Sequence, residues 1–166
     1  MTATGIDPRS PRFGAGITAV LLLVVIALAL ATPLGSTIGA RLVEPAFIVF
    51  AVISALFAWG AFAGIRRHPY GVLFRRLIRP RLAPPTELED PTPPTFAQGV
   101  GFIITFVGLA LHLAGVPFAI VVAASAAFVA AFLNSVFGYC LGCQIYLALA
   151  RTGIIGKRGA SEASSA

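Results

Sequence analysis

Charge is what this sequence has least of. Only 11% of its 166 residues are Asp, Glu, Lys or Arg, and just 6 of them are acids. A small domain that folds in water keeps much of its surface exposed and needs polar side chains to cover it. With 58% hydrophobic residues and a mean hydropathy of +0.93, a water-soluble fold is excluded, and lipid must be the solvent.

Cysteine is scarce too, at Cys140 and Cys143 alone, which is too few for the disulfide framework of a small secreted domain. The two histidines, His68 and His112, lie far from that pair in sequence. One Cys-x-x-Cys is half a tetrahedral metal site, so a dimer or a partner protein would have to complete it. No Gly-rich phosphate loop, carboxylate pair or Ser/His/Asp set occurs, and no metal or cofactor is expected. A basic face with interleaved aromatics is missing as well, which argues against nucleic acid. The net charge of +6 instead flanks apolar runs, and the anionic surface of a lipid bilayer is the partner it suits.

Four apolar runs are long enough for about 30 Å of hydrocarbon, at 13–34, 45–65, 96–113 and 117–137. None holds a Lys, Arg, Asp or Glu. Pro45 and Pro117 suit the first turn of a helix, where a missing amide costs no hydrogen bond. Thr95 and Gln98 have capping-box spacing. Only residues 114–116 separate the third and fourth runs, which makes those helices an antiparallel hairpin. The fold expected is an all-α, integral membrane four-helix bundle. Residues 13–151 form its single membrane domain, between tails at 1–12 and 152–166. Gly60 with Gly64, and Ala123, Ala127 and Ala131, place small residues at helical spacing. They read as packing faces within one subunit or in a homo-oligomer.

Cations set the orientation. Arg9 and Arg12 precede the first run. Arg66, Arg67, Arg75, Arg76, Arg79 and Arg81 follow the second, and Arg151, Lys157 and Arg158 follow the fourth. The opposite links hold only Arg41. Both termini and both cysteines are therefore expected in the cytoplasm, in a multi-pass protein of the cell membrane. A competing reading takes the N-terminus as a secretory signal cleaved near Ala29–Ala31, which would leave three spans with the cysteines on the same side. The cytoplasmic link at 66–95 divides in two. Residues 68–82 suit a short helix lying in the membrane interface, and the proline-rich 84–94 suits an extended, mobile strap.

The segment at 138–151 carries the chemistry. One straight helix from 117 to 150 would run about 50 Å, longer than the bilayer core is thick. Gly138 and Gly142 are the natural breaks, leaving a turn and a short helix that begins near Cys140. A thiol at a helix N-terminus is pushed towards thiolate, and a second thiol can resolve a mixed disulfide or persulfide formed on the first. Cys140 and Cys143 are the candidate redox or persulfide pair, with Asn134, Gly138, Tyr139, Gly142 and Gln144 as supporting residues. The bland alternative is two small side chains packed at a helix end. His112 is expected to reach water from the non-cytoplasmic end of the third helix, and Asn134 to bond to a neighbouring helix.

The His68-Pro-Tyr-Gly, Arg79-Pro-Arg-Leu, Pro84-Pro-Thr-Glu-Leu-Glu-Asp and Phe137-Gly-Tyr-Cys-Leu-Gly-Cys143 stretches resemble a mainly actinobacterial membrane family, domain of unknown function 4395. The resemblance covers nearly the whole chain. It implies a role in thiol or sulfur metabolism, with a separate thioredoxin-like or sulfurtransferase protein as partner, and it implies that the proline-rich link docks something. The leading expectation is a thiol or persulfide carrier. The alternatives are a subunit of a permease for a small sulfur compound and a non-catalytic membrane scaffold.

Overall fold

The structure, a computed structural model, describes residues 5–153. Lys157 and Arg158 lie outside the described residues. Seven α-helices form: α1 (Arg9–Ala31), α2 (Ile38–Leu42), α3 (Pro45–Phe62), α4 (Pro69–Leu73), α5 (Thr92–Leu113), α6 (Ala119–Phe137) and α7 (Leu141–Arg151). Helices α1, α3, α5 and α6 are each long and apolar enough to cross a membrane. Away from its ends a helix satisfies its own backbone hydrogen bonds, the condition hydrocarbon imposes on any spanning segment.

The ends of these helices differ from the sequence expectation for identifiable reasons. Helix α1 starts at Arg9 rather than at 13, because Asp7 accepts the Arg9 amide (3.0 Å) and also pairs with its guanidinium (2.8 Å). It ends at Ala31, since Thr32 precedes Pro33 and is extended. Gly64, at φ 82°, closes the chain after α3, so Gly60 and Gly64 do not share a helix face. The expected Thr95 cap is wrong. Asp90 takes the Thr92 amide at 2.8 Å and starts α5 at Thr92, with its prolines in the first turn. Thr95 Oγ1 instead donates to Pro91 O and accepts from Ile65 N. Pro117 lies in the turn, and Phe118, at φ 59°, immediately precedes α6.

Close approaches give the helix directions. Gly60 meets Gln98, Phe57 meets Gly101, Ser54 meets Thr105 and Phe50 meets Gly108, so α3 and α5 run antiparallel. Gly16 meets Ser135 and Gly138 meets Arg12, so α1 and α6 do the same. Neighbours around the bundle are α1–α6, α6–α5, α5–α3 and α3–α1. Leu22, Val25, Phe50, Ile53, Ile120 and Ala124 fill the centre. Ala127 and Ala131 also face inwards, and Ala123 packs against that core, so this small-residue face serves the bundle itself. Apolar side chains such as Val20, Ile103 and Val122 point outwards and are more than 60% exposed, as a lipid-facing surface requires.

Residues 6–12, the link and α7 gather at one end of the bundle. The expected helix at 68–82 forms irregularly: α4 passes into a π turn (Phe74–Ile78) and then a 3-10 turn (Arg79–Arg81). Its anchor is Phe74, buried beside the Phe13 ring at 5.8 Å. The proline-rich strap is extended but tied down. Ile6 and Glu89 exchange backbone hydrogen bonds of 2.9 Å in both directions, and Arg9 donates to Ala83 O.

A Cβ at Gly108 would collide with Ala123 and Phe50. Gly108→Val should therefore cost about 1–3 kcal/mol through overpacking, read as an earlier loss of helicity when SDS is titrated into mixed micelles. Gly39 has open space around it, and Gly39→Ala should stay within about 0.5 kcal/mol of the parent. Equal effects from the two would refute this packing account.

Candidate functional site

The site is made by the way α6 ends. Gly138 takes a left-handed conformation (φ 69°, ψ 14°), which glycine adopts at little cost. Its amide donates to Asn134 O and the Tyr139 amide to Leu133 O, each at 3.1 Å, so the last carbonyls of α6 are satisfied. Two residues later the chain is extended at Cys140, and α7 begins. Gly138 is thus a break, as its position suggested. Gly142 is not one. It lies within α7, where a Cβ would come within 2.5 Å of the Ala97 Cβ, so its bare backbone lets α7 press against α5. The Phe96 and Tyr146 rings, 5.6 Å apart, hold the same contact.

Cys140 caps α7. Its Sγ accepts the Cys143 amide at 3.3 Å, in the place where a serine or aspartate oxygen usually satisfies a free N–H. The neighbouring Cys143 side chain, with the amides of Cys143 and Gly142, lowers the Cys140 pKa to about 7, against the opposing effects of burial and of Glu89. The Cys143 pKa moves the other way, chiefly because its proton is held by the Cys140 sulfur and then because it is half-buried. Both cysteines are free.

Behind the pair lies a cavity of about 470 Å³. Asn134, Gly138, Gly142 and Gln144 line it together with both cysteines, whereas Tyr139 is not part of the lining and is half exposed. Asn134 therefore faces this space. Ala126, Ala127, Ala130 and Ala131 form much of its α6 wall, and their short side chains leave the room. Sequence reasoning missed the polar groups that other elements bring here: Arg12, Tyr70, His68, Gln98 and Glu89. The signal was present for three of them, because His68 and Tyr70 belong to the His68-Pro-Tyr-Gly stretch and Glu89 to Pro84-Pro-Thr-Glu-Leu-Glu-Asp. His68 is buried. Its Nδ1 accepts the Tyr70 amide (3.3 Å) and its Nε2 donates to Leu56 O (3.1 Å), which fixes one neutral tautomer. Burial lowers its pKa and raises that of the Tyr70 phenol, so both are uncharged near neutrality.

At the opposite end of the bundle, His112 does not reach out to water. It is 6% exposed, stacks on Phe47 at 5.9 Å, and holds Nε2 3.0 Å from Glu44 Oε2. That contact is close but poorly aligned, so Nε2 makes no well-formed hydrogen bond. The expectation failed because Glu44 and Arg41 fold over the end of α5. Glu44 accepts the Gly35 amide (2.8 Å), and Arg41 donates to Leu113 O (2.8 Å). Among the described residues, no three His, Cys, Asp or Glu side chains cluster as metal ligands.

Alkylation gives a direct check on the sulfur pair. Cys140 should react with iodoacetamide with a pH midpoint of about 7. Cys143→Ala removes the side chain that lowers its pKa most, so thiolate should appear only at higher pH and the rate at neutral pH should fall. A midpoint unmoved by that substitution, or moved downwards, would contradict the geometry.

The model of the domain of unknown function DUF4395 matches residues 6–151, from the strand-like contact at Ile6 to the end of α7. No curated protein and no solved structure matches the chain. A match over so much of the sequence, taking in all four spanning helices and the sulfur pair, places this multi-pass membrane protein in the DUF4395 family.

Proposed function

We propose that the protein is a membrane thiol carrier in which Cys140 exchanges with a soluble partner and Cys143 resolves the intermediate. The observation that carries this reading is the capping sulfur: Cys140 Sγ at the start of α7, accepting the Cys143 amide and bordering a cavity. Cys140 thiolate attacks one sulfur of a partner disulfide, that S–S bond breaks, and the departing thiolate takes up a proton. Cys143 then loses its proton and attacks Cys140 Sγ, which releases the second partner thiol and leaves the Cys140–Cys143 disulfide. Two electrons have moved to the partner, with one proton from Cys143 and one from solvent, and the exchange is reversible. With a persulfide donor the same thiolate takes the outer sulfur, and the donor leaves as a thiol. Cys143 then expels that sulfur as hydrosulfide.

The fitting partner is a thioredoxin-like or sulfurtransferase protein. The compartment is the cytoplasm, because the end of the bundle that holds the pair also holds Arg9, Arg12, Arg151 and the six arginines at 66–81, while the other end holds Arg41. By the same reasoning the bundle lies in the cell membrane with both termini in the cytoplasm. Residues 13–151 act as one membrane domain. The cavity supports a second reading, a permease subunit for a small sulfur compound, which needs a homo-oligomer to complete a pathway.

Trapping separates these readings. With an oxidised thioredoxin-like protein, Cys143→Ser should accumulate a mixed disulfide through Cys140, and Cys140→Ser should give none. Exchange that survives Cys140→Ser would end the carrier reading. Flux of thiosulfate into proteoliposomes that persists without either thiol would favour the permease.

A further inference from the structure

We infer that the cavity behind the cysteine pair binds the ring of a lipid-soluble quinone, which takes two electrons from the reduced pair. This inference rests on the carrier reading and names its membrane-side electron acceptor.

A dithiol that passes on its electrons needs an acceptor of two, and the position of this pair limits the choice. Cys140 and Cys143 line a space of about 470 Å³ that extends between α1, α5 and α6, all of them spanning helices. That volume lies within the range of small-molecule sites. Its walls are chiefly Ala, Gly, Ile and Pro.

The charge of the lining points to a neutral occupant. Among the described residues, Arg12 and Glu89 are the only Lys, Arg, Asp or Glu side chains in it, and their formal charges cancel. His68 is held neutral by its two hydrogen bonds. A sulfur oxyanion would find no net positive field here and would lose its hydration against alanine. A quinone suits the same walls: its ring and tail are apolar, and its two carbonyl oxygens need only neutral or cationic donors. Tyr70, Asn134, Gln98 and Arg12 supply such donors from the lining.

The step balances. Cys140 thiolate and Cys143 thiol become the Cys140–Cys143 disulfide, and two electrons reduce the quinone. One proton comes from Cys143 and one from solvent, giving the quinol. A soluble dithiol protein then restores the pair by the reverse of the exchange described above.

The test uses purified full-length protein, reduced and placed in quinone-free nanodiscs, with a fully ring-substituted quinone carrying one short isoprenoid tail. Quinone absorbance should fall with saturation in quinone concentration, and quinol should form in equimolar amount with the disulfide. In Cys143→Ser, the Cys140 thiolate against the ring should give a visible charge-transfer band, which the double Cys140→Ser, Cys143→Ser variant should lack. No quinol and no band, in protein that still exchanges with an oxidised thioredoxin-like partner, overturns the quinone site and leaves the carrier reading standing. A lipid acyl chain occupying the cavity would give that result. A pair oxidised by neither reagent overturns both readings, and quinol formation undiminished in the double variant also overturns the site.

Discussion

Free amides at the start of a helix need acceptors, and at α7 the acceptor is the sulfur of Cys140. That bond exists only because α6 stops at Gly138 and the chain restarts at a new angle. Had the helix continued, the amide of Cys143 would have bonded to a carbonyl one turn earlier, and Cys140 would be an ordinary half-buried side chain. The left-handed residue, the capping sulfur and the close approach of Gly142 to Ala97 form one arrangement. Each part is needed for the thiol to be both activated and held against the bundle.

The two ends of the bundle show the same physics with different groups. At the sulfur end, the N-terminal segment and the long link are tied through Ile6 and Glu89, so the cavity is walled by residues distant in sequence. At the other end, Arg41 and Glu44 satisfy carbonyl and amide groups left open by the α1–α3 and α5–α6 connections. Irregular backbone near hydrocarbon is tolerated where side chains complete its hydrogen bonds. At that end the connections use Arg41 and Glu44 as caps rather than as surface decoration.

Function in this chain is a matter of polarity placed sparingly. The bundle core holds the Thr105–Ser54 hydrogen bond, at 3.0 Å, and little else that is polar. Tyr70, His68, Gln98, Asn134 and Arg12 instead line one space beside the thiols. In an apolar medium each such group is costly to leave unpaired, so their convergence on a cavity marks the place where chemistry has a use for them.

The sequence by itself determined the four spans, the helical hairpin around 114–116 and the break at Gly138. These follow from composition, connection length and helix rise, which are local quantities, and lipid imposes them on every stretch of chain alike. Tertiary structure alone decided that Gly142 is a contact rather than a break, that Thr95 Oγ1 accepts the Ile65 amide, and that His112 meets Glu44. It also decided that the proline-rich strap is pinned by Ile6, and that alanines on α6 leave a cavity next to Cys140. Each of these depends on which helix lies beside which. Periodicity and spacing along one segment carry no information about the partner that another segment brings, so such pairings became visible only once the helices were packed.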